Sequence, residues 1–137
     1  MKWTVLLLLF TSLYNRANAD VVIVSHIVNQ HVNLTKQQVR QVYLGKSVNL
    51  ANNLISQPVS LGKEHQIRRI FNAKVLGLTE ARVQSYWAHM RFSGRSLAPK
   101  EVEDVMELFE YLQKNQDAIG YVPKETELPS DIVVIYP

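Results

Sequence analysis

The stretch Lys114-Asn115-Gln116-Asp117-Ala118-Ile119-Gly120-Tyr121-Val122 constrains this chain more than any other. A long helical pattern stops at Lys114, a polar turn follows, and a short strand begins with a glycine inside it. Glycine within a strand marks a bulge or a close approach of backbone. Near the other end, residues 21–25 form a continuous run rich in valine and isoleucine. Such a run suits a central strand buried on both faces, with helices on each side. Strands and helices alternate early and helices crowd the middle, so the fold class is α/β.

Residues 1–19 read as a secretion signal. Lys2 supplies a positive start, residues 3–13 are apolar, and Ala17-Asn18-Ala19 fits an A-x-A cleavage site. The apolar run is shorter than the roughly 20 residues that span a bilayer. The alternative, an uncleaved anchor, fits Arg16 and the small-residue end less well. Cleavage leaves residues 20–137, enough for one domain with its own core and too few for two. Lys2 and Arg16 leave with the signal, so the formal charge falls from +3 to +1. No run of lysine or arginine is present, which disfavours a nucleic-acid partner. The chain has no cysteine, so an exported domain must rely on its apolar core. It also lacks a cysteine for lipid attachment. The expectation is a free periplasmic protein.

Thr35 and Gln38 form the two ends of a capping box, predicting a helix whose apolar face is Val39, Val42 and Tyr43. Gly45 stops it. Residues 47–57 are amide-rich and read as irregular, and 58–61 read as a short strand. Residues 63–76 predict a helix with Ile67, Ile70, Phe71 and Val75 on one face. Thr79 caps the next helix, where Val83, Tyr86, Trp87 and Met90 form the stripe. Tyr86, Trp87 and Phe92 suit core packing better than a ligand platform. The longest helix is predicted over 99–114, with Pro99 near its start. Val102, Val105, Met106, Phe109 and Leu112 face inward, and Glu103, Glu107 and Glu110 face water. Residues 119–122 and 132–136 are the last strands.

Three blocks in order resemble the phosphate-binding periplasmic proteins, the substrate-binding receptors of phosphate ABC transporters. The run from Lys114 to Val122 is similar to their "PGAIGYV" block. Gln41-Val42-Tyr43-Leu44-Gly45-Lys46 is similar to "IFLGK", and Tyr86-Trp87 through Phe92-Ser93-Gly94 to the "YW…FSG" segment of a short branch. The resemblance covers residues 21–136. It implies a single lobe of a type II periplasmic-binding-protein fold, a mixed β-sheet flanked by helices. In such proteins the ligand lies between two lobes, and here the second is missing. A "W-x-x-G" turn usual in the family is absent from residues 47–57.

Ser60-Leu61-Gly62-Lys63-Glu64-His65 is the best candidate for a binding site, a strand running through glycine into a helix. Amide hydrogens at a helix start, with the positive end of its dipole, favour anions. Ser60 adds a hydroxyl, Lys63 adds charge, and Arg68 one turn inside could fork onto an oxyanion. The family carries a Ser-Gly-Thr cradle here; this chain has Lys63-Glu64-His65 instead, and Glu64 would repel an anion. The other reading makes Gly62 a simple turn and Lys63, Glu64 and Arg68 ordinary solvated charges. Arg91-Phe92-Ser93-Gly94-Arg95-Ser96 is a second basic, hydroxyl-rich loop. Ser93, Gly94 and Arg95 either face the same anion or merely close a helix whose carbonyl end favours arginine.

His26, His31, His65 and His89 show no metal-ligand spacing, so no metal is expected. No nucleophile elbow, catalytic cysteine, Walker loop or dinucleotide fingerprint occurs. An enzyme and a cofactor are therefore not expected. Two readings follow. One is a periplasmic solute-binding-like protein taking phosphate or a similar small oxyanion, with a homodimer or partner completing the cleft. The other is a ligand-free adaptor or sensor module contacting an envelope transporter or sensor protein.

Overall fold

A computed structural model describes residues 20–26, 32–50, 53–95 and 97–137. The predicted secretion signal, His31 and Ser96 lie outside them. In chain order the elements are β1 (Val21–Ser25), α1 (Lys36–Tyr43), β2 (Val48–Leu50), β3 (Asn53–Ile55), β4 (Gln57–Leu61) and α2 (Gln66–Phe71). A π-helical turn (Asn72–Leu76) continues α2, followed by α3 (Glu80–Phe92), β5 (Lys100–Val102), α4 (Val105–Lys114), β6 (Ala118–Pro123) and β7 (Val133–Tyr136).

The main sheet runs β5-β4-β6-β1-β7. β4 lies parallel to β5 and β6, while β1 is antiparallel to β6 and β7, so the sheet is mixed. All five residues of β1 are buried, as a strand covered on both faces requires. Because β4 and β5 run parallel, their ends at Leu61 and Val102 reach the same edge. The chain leaves that edge through the turn 62–65 into α2 and through 103–104 into α4.

The glycine in β6 marks a close approach. A side-chain carbon on Gly120 would overlap Leu108 of α4, so the helix sits directly on the strand. On the sheet, Phe71 of α2 stacks on Tyr121 with ring centroids 4.1 Å apart, and Tyr43 of α1 tilts against Phe71 at 4.5 Å. The buried Tyr43 hydroxyl donates to the Val59 carbonyl at 2.7 Å, tying α1 to β4. Burial pushes the Tyr43 phenol well above its ordinary pKa, so it stays a neutral donor.

Several elements differ from the sequence expectation. Residues 47–57 are not irregular: β2 and β3 pair as a small hairpin, with Val48 opposite Ile55. Alternate positions bury Val48 and Ile55 and turn Asn49 and Leu54 outward, a pattern that the amide-rich composition masked. The helix predicted over 99–114 begins only at Val105. Residues 100–102 instead extend the sheet as β5 beside β4, and Asp104 caps the helix by accepting from the Glu107 amide at 2.8 Å. That start turns the stripe: Leu108, Phe109 and Leu112 are buried, and Met106 is 68% exposed. The helix predicted from residue 63 starts at Gln66, leaving Lys63 in a turn. Phe92 is 96% exposed and packs in no core.

Candidate functional site

β4 delivers Ser60 and Leu61 to the edge where the parallel strands end, and the polar groups there are bound within the protein. The Ser60 hydroxyl lies 2.9 Å from the Tyr121 hydroxyl, and the Leu61 amide donates to Tyr121 at 3.0 Å. Tyr121 reaches them from β6 at the point where β4 and β6 pair only through Gln57–Ala118 and Pro58–Ile119. Its phenol extends the tie between the strands where the backbone ladder stops. Burial raises the Tyr121 pKa despite the hydrogen bonds with Ser60 and Leu61, which favour the anion.

Arg68 is buried to 5% exposure, and its donors are occupied. Nε and Nη2 grip Glu80 at 3.0 and 2.6 Å, while Nη1 donates to Glu101 at 2.8 Å and to the Leu61 carbonyl at 2.9 Å. Burial opposes the charge on Arg68, but hydrogen bonds to Glu101 and Glu80 outweigh it and raise its pKa. On Glu80 burial likewise opposes the charge. Hydrogen bonds from Arg68, Gln84 and Asn72 prevail and hold its carboxyl below the usual range. The forked pair that could have met an oxyanion meets two carboxylates of this chain instead, and bolts α2 to α3 and β5.

What remains open at the edge is the turn itself. His65 is the N-cap of α2 and makes no side-chain cap; Thr35, Thr79 and Asp104 each cap their helices with a side-chain oxygen. The His65 ring turns away to the Glu103 carbonyl, 2.5 Å from Nε2. Lys63 and Glu64 are exposed. A Glu64 carboxylate oxygen lies 3.0 Å from where a side chain on Gly62 would begin, so it overhangs that glycine.

The second basic loop is not brought to this edge. Ser93, Gly94 and Arg95 follow the last residue of α3, whereas Arg68 meets Glu80 at its first. Its 13 residues separate the two groups by about 20 Å along the axis. Gly94 takes φ 68°, and the Arg95 amide bonds to the Met90 carbonyl at 3.2 Å, a helix-closing turn. All three residues are exposed.

Sequence reasoning missed Glu80, Glu101 and Tyr121, which organise the edge. Glu80 carried one signal, an acid one residue after a helix-capping threonine. A shallow concavity of about 530 Å³ against α1, lined in part by Lys36, Gln37 and Arg40, was also missed. A neighbouring one adds Lys46 and Tyr86, and no acid lines either. His26 sits 3.4 Å from Asp131, away from the candidate turn. Among the described residues no acid–histidine group is placed to hold a metal, and no helix is long and apolar enough to cross a membrane.

No family model matches the chain, and no curated protein does. A solved structure does match. The chain shares its fold with an ABC-type phosphate transport receptor from Vibrio cholerae. The TM-score is 0.62 at 18% identity, over 85% of this chain and 45% of the receptor. The chain therefore spans less than half the receptor's length. At that identity the likeness is one of fold, similar to one lobe of a periplasmic binding protein.

Proposed function

We propose that this chain is an exported, periplasmic solute-binding-like module that takes a small oxyanion such as phosphate at the turn joining β4 to α2. In open α/β sheets ligands sit beyond the carboxyl ends of parallel strands, and this turn lies there. The observation that carries the reading is the start of α2, which no side chain caps, in a fold shared with a phosphate transport receptor. Gly62 and Lys63 form the contact, and His65, whose amide donates to the Gly62 carbonyl at 3.1 Å, holds the turn. Ser60 and Arg68 support it from behind through Tyr121, Glu80 and Glu101. Binding is weak, because one lobe cannot enclose an ion and Glu64 stands beside it.

Isothermal titration with inorganic phosphate and with sulfate tests this. Millimolar affinity is expected, lost in Lys63→Ala. Glu64→Gln should tighten it on the order of fivefold, since a unit charge at about 4 Å in water is worth about 1 kcal/mol. Absence of heat and of any thermal shift at millimolar anion overturns the proposal. Binding that survives Lys63→Ala and disappears in Arg40→Ala would move the anion to the concavity against α1.

A second reading is favoured by one observation, the Glu64 carboxylate overhanging Gly62 where an anion would lie. In that reading the lobe is a ligand-free adaptor or sensor module for an envelope transporter or sensor protein. Co-purification separates the two. An adaptor retains its partner in Lys63→Ala and binds neither phosphate nor sulfate, even as Glu64→Gln.

A further inference from the structure

We propose that the C-terminal end of α3 docks on an anionic lipid surface, with Phe92 and Leu97 entering the bilayer interface and Arg91 and Arg95 meeting its phosphates. α3 is the longest described helix, yet it buries only Val83 and Trp87. It ends in Phe92, 96% exposed, and Leu97 in the loop beyond is 88% exposed. Among the described residues these are the two most exposed large apolar side chains. Between them the turn at Gly94 folds the Arg95 amide back onto the Met90 carbonyl, which keeps both at the helix end. Arg91 and Arg95 are exposed, and among the described residues neither is ion-paired.

The segments that build this side of the molecule carry charge of one sign. None of the chain's 12 acids falls in residues 21–63 or 81–99. The acids that bracket α3 in sequence, Glu80 and Glu101, are both bound to Arg68 at the helix start. That start is about 20 Å from the tip along the axis. From the end of α1, Lys46 lines a concavity with Arg40 and Tyr86, and Tyr86 stands less than two turns before Phe92. No acid lines that concavity, nor the one beside it, which adds Lys36. Two apolar side chains standing out from a helix end need a partner they can penetrate. A bilayer interface admits them without a preformed pocket, and its anionic headgroups suit the arginines beside them. A protein surface would have to supply a pocket for each apolar side chain and an acid for each arginine. A second copy does not offer such a surface at α4, where Lys100 and Lys114 stand with Glu107 and Glu110.

Cosedimentation of the processed protein, residues 20–137, with lipid vesicles tests the proposal. Reversible binding is expected to vesicles of mixed phosphatidylcholine and phosphatidylglycerol, and binding about tenfold weaker or less to phosphatidylcholine alone. Arg91→Gln and Arg95→Gln should each weaken it about fivefold, the usual worth of one cation near an anionic surface. Raising salt from about 0.05 M to about 0.5 M should act in the same direction, as screening shortens the reach of the charges. Phe92→Ser and Leu97→Ser should each weaken it about tenfold or more at either salt, through lost apolar burial. Phe92→Trp should keep binding and shift fluorescence to the blue on vesicles, which a purely ionic contact leaves unmoved. Arg82→Gln at the far end of α3 and Lys63→Ala at the α2 turn should change nothing, so the outcome is independent of the anion site. All these positions are exposed, and circular dichroism verifies that the variants fold. Absence of vesicle binding overturns the proposal. So does binding indifferent to Phe92→Ser and Leu97→Ser, or to the two arginine changes. A dimer that Phe92→Ser dissolves, without vesicle binding, overturns it in favour of a second copy.

Discussion

At the scale of single residues, Arg68 shows how far spacing carries an inference. Its place one turn into the helix was readable, and so was its capacity to fork onto an oxyanion. Its partners were not, because Glu80 and Glu101 lie 12 and 33 residues away, one brought by α3 and the other only when β5 pairs with β4. Ser60 is similar: its hydroxyl belongs to Tyr121, 61 residues on. Gly120 is the opposite case, since a glycine inside a strand announces close packing without naming the neighbour. The structure names Leu108. Gly120→Ala should therefore force the helix and strand apart and cost about 1–3 kcal/mol, the usual range for overpacking a core. Chemical denaturation measures it; a midpoint unchanged from the native protein would mean α4 is not seated on β6.

At the scale of elements, caps were legible and edges were not. The Thr35–Gln38 box forms as its spacing predicts, with both reciprocal hydrogen bonds, at 2.9 and 3.1 Å. Thr79 and Asp104 also cap their helices, but a strand of only three residues separated the two patterns and hid in a helical reading of 99–114. Short strands depend on their neighbours more than on their own residues. α3 is held at few points: Val83 and Trp87 are buried, Arg68 grips Glu80 at its start, and the Tyr86 hydroxyl donates to the Leu44 carbonyl at 2.5 Å. α4 buries Leu108, Phe109 and Leu112 against the sheet. Amide hydrogen exchange should therefore release the second half of α3 before α4 or β1, since opening tracks buried apolar contact. Equal protection across α3 and α4 in a monomer would contradict this.

For the whole molecule, the network around Arg68 links acid titration to stability. The folded Glu80 carboxyl is held below its ordinary value, so its contribution is fully present above the unfolded pKa of about 4.3 and is lost as pH falls through the lower folded value. Thermal melts from about pH 6 to about pH 3 should show a steeper loss for the native protein than for Glu80→Gln, which has no such charge to lose. Identical slopes would mean that the Arg68–Glu80 pair does not couple protonation to folding.

What the residues alone determined is the α/β class, the buried character of β1, the capped starts of α1 and α3, and the resemblance to phosphate receptors that the shared fold now supports. These are local signals: apolar period, capping side chains and turn glycines act within a few positions of one another. Tertiary structure decided which charges face solvent and which face each other. It sealed Ser60 and Arg68, moved Ser93 to Arg95 a helix length away, and left α3 largely uncovered. Those outcomes depend on the order in which strands pair, and strand order brings together residues that no local pattern connects.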